Sequence, residues 1–183
     1  KSLALDRWIY ALAIPEVGEA TAYQLAQTHK SLDDLAESSL LRDIRLLGEK
    51  ENERIRISPH SKKDPPRTPE ERLQRKNRNA ELRREIAEIE ARLERSGNKQ
   101  RMSEVGPVAA ASVLEFFNSR VGRETLRRLE DLAIHPEPEG SETATKSEDE
   151  AGTWIGKTFV LTGTLHAMSR DDAARLIREK GGN

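Results

Sequence analysis

Two short stretches of this sequence combine residue types at a spacing suited to holding a phosphate. "IPEVGEATA" (14–22) and "SEVGPVAAA" (103–111) each run glutamate, valine, glycine and then small residues. Glycine lets a backbone approach a ligand closely and adopt positive φ, as expected here for Gly18 and Gly106. The turn amides and the unpaired N–H groups of the following helix then converge on one point. Such a point binds phosphate without reading bases. The same pattern also serves as a plain packing corner between two helices. Glu16 and Glu104 count against the phosphate reading, because each sits where a second glycine often occurs and brings negative charge. A third candidate lies in "TFVLTGTLHAMSRDD" (158–172), where Thr162 and Gly163 offer a hydroxyl and an unhindered amide at a strand end. Arg170 lies just inside the next helix, within reach of the same anion. The competing reading is an ordinary strand-to-helix turn with a solvated arginine.

These residues need helices to position them, and the sequence supplies the pattern. Leu5, Trp8, Ile9 and Leu12 fall on one helical stripe, which Pro15 ends. A second helix follows Gly18. Ser31 and Ser39 are expected to cap two further helices, carrying Leu32 and Leu35, then Leu40, Leu41 and Ile44. "SPHSKKDPPRTPEE" (58–71) has four prolines and reads as a loop. Thr68-Pro69-Glu70-Glu71 then starts a helix expected to reach about Arg95, with Leu82, Ile86, Ile89 and Leu93 on its apolar edge. The small-residue helix after Gly106 is followed by another around Glu124–Leu132. Residues 158–162 are β-branched and apolar enough for a short strand, and Ser169 caps the helix after it.

The net charge of −1 conceals segregation. Residues 1–49 carry a net −3, residues 62–101 a net +5, residues 137–150 a net −5 and residues 151–183 a net +2. Separation on this scale suggests distinct modules and a nucleic-acid affinity confined to parts of the chain. Cysteine is absent, which excludes disulfides and thiolate metal sites, and the four histidines have no ligand spacing. No apolar run has the length of a membrane span, so the expectation is a soluble, intracellular chain. It starts without methionine and stops at "EKGGN", which reads as a fragment.

"LDRWIYALAIPEVGEATAYQLAQTHKSLDDL", "EVGPVAAASVLEFF" and "GKTFVLTGTLHAMSRDDAARLIREKGG" resemble, in that order, the C-terminal part of bacterial NAD-dependent DNA ligases. The resemblance covers roughly residues 1–47 and 100–183. It implies a mainly α fold: a helix-hairpin-helix domain (1–47 and 100–136) with a basic helical insertion (48–99). An acidic linker (137–150) and the start of an α/β BRCT domain (151–183) follow. The implied activity of the parent is sealing of nicked duplex DNA, with NAD, Mg2+ and Zn2+ as its cofactors. The implied DNA contacts are backbone groups of Val17, Gly18, Ala20 and Thr21, then Val105, Gly106 and Val108. The implied phosphate site of the BRCT part is Thr162, Gly163 and Arg170. The family's Lys-x-Asp-Gly motif and four-cysteine zinc finger do not occur here, so the fragment is expected to bind DNA without catalysis and without a cofactor of its own. A bacterial, cytoplasmic, nucleoid-associated monomer is the corresponding expectation. A non-catalytic repair or scaffold protein built from the same modules is the alternative. The basic insertion, where the family has only a few residues, is either decoration or an added DNA arm.

Overall fold

The computed structural model describes residues 4–97, 104–136, 138, 154, 157–162, 167, 168, 173, 176, 177 and 180. Two compact units divide the chain, residues 1–141 and 142–183. Among the described residues of the first, seven helices follow one another: α1 (Leu5–Ala11), α2 (Glu19–Thr28), α3 (Leu32–Ala36), α4 (Ser39–Arg56), α5 (Pro69–Arg95), α6 (Pro107–Asn118) and α7 (Arg120–Asp131). Leu5, Ile9, Leu25, Leu32, Leu35, Leu41, Val113 and Phe117 form the centre of its core, with Ile89 and Leu93 reaching in from α5. Helix α1 packs on α2, α4 on both α5 and α6, and α7 on α6.

Short polar side chains set most helix starts. Ser31 Oγ accepts from the amide of Asp34, Thr68 Oγ1 from Glu71 and Ser119 Oγ from Gly122. The cap of α4 is Ser38 and not the expected Ser39: its hydroxyl accepts from the Leu41 amide. Ser38 is chosen because it also meets the buried His29 ring, Nε2 to Oγ at 2.7 Å. The Leu25 carbonyl can only accept, so His29 Nδ1, 2.8 Å from it, carries the proton and Nε2 accepts from Ser38. Burial holds the His29 pKa below its ordinary value, against opposing contributions from the Leu25 hydrogen bond and Asp34. Helix α7 begins a turn earlier than expected, because Ser119 supplies its cap.

Helix α4 runs without a break through the boundary expected at residue 47. Its C-terminal half pairs with α5. Asp43 meets Arg92, Lys50 meets Glu85 and Glu53 meets Arg78, so numbers rise on one helix as they fall on the other. The pair is therefore an antiparallel helical hairpin. Leu82 and Ile86 are buried in it, apart from the main core. Gly48 sits where α4 crosses the start of α6: a Cβ there would lie 2.3 Å from Pro107 Cβ. Only a glycine lets the two helices approach so closely.

In the second unit, the Trp154 and Phe159 rings lie 5.0 Å apart, the Trp154 amide donates to the Lys180 carbonyl, and Ala173 and Ile177 are buried. The strand expected at residues 158–162 does not form: this segment pairs with no described residue. The mainly α part of the expected fold is thus present, and among the described residues no strand is formed. No helix among the described residues is long and apolar enough to cross a membrane.

Candidate nucleic-acid interface

The two Val-Gly turns end in the same way. Gly18 is the N-cap of α2 with φ −83° and ψ −179°; Gly106 is the N-cap of α6 with φ −77° and ψ 172°. Neither helix has a side-chain cap, whereas α3, α4, α5 and α7 all do. The first bonds within the helices are equivalent too, Ala22 N–H to the Gly18 carbonyl and Ala110 N–H to the Gly106 carbonyl. The amides of Ala20 and Thr21, and of Val108 and Ala109, precede those bonds and have no carbonyl one turn back within the helix. Each helix end also carries the positive end of its dipole. The two ends thus present the same set of amide donors.

The glycines are not there for positive φ, contrary to expectation. Both have extended backbone that any residue adopts, and a Cβ at either position would meet nothing within 4 Å. This is the reverse of Gly48. Nothing inside the described chain requires glycine at 18 or 106, so what it leaves clear is the outer surface of the turn. The left-handed conformation falls instead on Glu16 (φ 63°) and Ala13 (φ 50°). Glu16 thus occupies the strained position of the first turn and remains exposed.

The structure brings the seven expected hairpin residues into one part of the molecule but divides their tasks. Val17 and Val105 are buried pegs that hold the turns on the core. Thr21 is also buried, and its hydroxyl points at the Glu104 carbonyl at 3.5 Å. Glu104 N–H donates to Gln24 Oε1 at 2.8 Å, so α2 holds the second turn beside its own N-terminus. Gly18, Ala20, Gly106 and Val108 face outward. Sequence reasoning missed Gln24 and Gly48, since neither carries a local signal: both act on a turn far along the chain. Of the other candidate trio, Thr162 is exposed, while Gly163 and Arg170 lie outside the described residues.

A helix-hairpin-helix motif model matches residues 7–55, the segment from α1 through most of α4. A DNA ligase of Akkermansia muciniphila is 36% identical over 192 aligned residues, covering 100% of this chain and 24% of that protein. The chain is homologous to a segment of bacterial DNA ligases. A DNA ligase of Chlamydia trachomatis serovar L2 is 29% identical over 182 residues, covering 100% of this chain and 18% of its own length. The DNA ligase of Geobacter metallireducens is 28% identical over 183 residues. The chain therefore spans a quarter or less of the ligases it matches. No solved structure matches it.

Proposed function

We propose that this chain is the C-terminal, nick-binding region of a bacterial NAD-dependent DNA ligase. In this reading the hairpin turns grip the phosphate backbone of duplex DNA. The observation that carries it is the pair of helix starts at Gly18 and Gly106: uncapped, equivalent in backbone geometry, and glycine-lined for no reason internal to the chain. A phosphate oxygen completes them by accepting from the amides of Ala20, Thr21, Val108 and Ala109. Val17 and Val105 set the turns, and Gly18 and Gly106 let the sugar-phosphate chain come close. Recognition through backbone amides carries no base information, so the grip slides over sequence and selects shape.

The sequence has no cysteine, and no group of His, Asp and Glu able to hold a metal ion occurs among the described residues. In this reading no chemical step is assigned to the segment; its part is to hold the substrate while the rest of the parent seals the break. The Thr162, Gly163 and Arg170 trio is a proposed second phosphate site of a BRCT module.

The test is binding of several unrelated nicked duplexes, and their intact counterparts, at two salt concentrations. The expected result is similar affinity across sequences, a preference for the nick and a steep loss with salt. Strong preference for one sequence contradicts the reading.

A further inference from the structure

We infer that the α4–α5 hairpin carries a second phosphodiester-binding site, a basic groove along one of its two edges. The inference extends the DNA-binding reading above to a surface outside the hairpin turns. The two edges of this hairpin differ sharply in how their charges are used. On one edge Arg75 is held by Asp64 and Glu71, Arg78 by Glu53, Glu81 and Glu85, and Lys50 by Glu85. The hydrogen bonds that Arg78 donates to the Glu53 carboxylate raise its pKa, and Lys50 holds the Glu85 carboxylate below its ordinary range. These cations are already neutralised by carboxylates.

On the other edge a groove of about 650 Å³ is lined by Arg54, His60, Arg72, Lys76 and Arg83, and by no acidic residue. Arg72, Lys76 and Arg83 recur at spacings of four and seven, which puts them in one row along α5. None of the four strong cations has an ion-pair partner among the described residues. Buried Asn79 lies between the helices and donates to the Arg54 carbonyl at 3.0 Å, fixing α4 against the row. Four uncompensated cations around one trough are repelled by one another and await a polyanion. A row whose members lie one and then two helical turns apart, about 5.4 Å per turn, suits phosphates spaced along a backbone better than a single small anion. Arg75 and Arg78 belong to the same basic insertion, but their ion pairs withdraw them, and Arg54 and His60 line the groove instead.

The experiment uses the whole chain and a fluorescent nicked duplex titrated across a series of potassium chloride concentrations. Three proteins are compared: wild type, the groove variant Arg72→Gln/Lys76→Gln/Arg83→Gln, and the turn variant Gly18→Val/Gly106→Val. The three groove side chains are exposed, and glutamine keeps their stems and helix propensity. The groove variant is expected to lower the magnitude of the log-affinity versus log-salt slope by about 2 to 3, at roughly 0.9 per phosphate contact. A slope unchanged from wild type, with the turn variant impaired, overturns the groove and leaves the hairpin-turn reading standing. A reduced slope in the groove variant with an unimpaired turn variant keeps the groove and overturns the turns.

Discussion

The turn at residues 14–18 and the turn at 104–107 reach the same helix start by different means. The first is built locally: Glu16 takes a left-handed φ and Val17 N–H closes onto the Ile14 carbonyl at 3.1 Å. The second is held from a distance, by Gln24 on its amide and by Gly48 beneath Pro107. One turn stores strain; the other depends on neighbours. What the two have in common is the outward end, an extended glycine and an uncapped helix. Convergence of two unlike supports on one exposed geometry is what supports the proposal that binding lies at that geometry and not in the supports.

The supports should therefore break differently, and the largest effect is expected at Gly48. Gly48→Ala drives a Cβ into Pro107, an overpacking that costs about 1–3 kcal/mol. Thermal unfolding should show the loss, and amide exchange should place it at α4 and α6 with α2 less affected. Equal protection in α6 of wild type and variant contradicts the dependence of the second turn on this seat. Glu16→Gly tests the first turn. Relief of the left-handed cost is offset in part by the added freedom of the unfolded chain, so stability should move by less than about 1 kcal/mol. DNA affinity should rise as a negative charge leaves the anion site, and a fall in affinity assigns Glu16 a different role.

The smallest expected effect separates the helices by pH. The folded pKa of His29 lies below its ordinary value, so the unfolded chain binds the proton more readily. Its contribution to stability is complete above about 6.5 and is lost as pH falls through the depressed folded value. Because His29 ties the end of α2 to Ser38, acid should loosen α2 before α6. Hydrogen exchange followed through this range checks the order, and His29→Gln should remove the pH dependence.

The sequence revealed much of this because the helices are written locally. The stripe at Leu5, Trp8, Ile9 and Leu12, Pro15 as a stop, and Thr68-Pro69 as a start are short-range signals. So is the apolar edge Leu82, Ile86, Ile89 and Leu93, all buried as expected. Three features were not legible. The choice of Ser38 over Ser39 depends on a buried histidine on another helix. The division of basic residues into paired and unpaired edges depends on which face of α5 meets α4. The seat of the second turn depends on Gly48, which reads locally as a change of composition. Each is a long-range contact, and no local pattern encodes it. The glycines at 18 and 106 stand out in the sequence, but the structure gives them open space instead of positive φ, which belongs to Glu16.

Gly18 and Gly106 are proposed to be glycine for the sake of an external phosphate backbone. The most direct measurement pairs thermal unfolding with nicked-duplex binding for Gly18→Val and Gly106→Val. Both positions have extended backbone and open space, so the melting temperature should change little while the methyls obstruct the duplex and weaken binding about tenfold or more, the loss of one phosphate-gripping turn. Unfolding of either variant, or unchanged affinity in both, would contradict it.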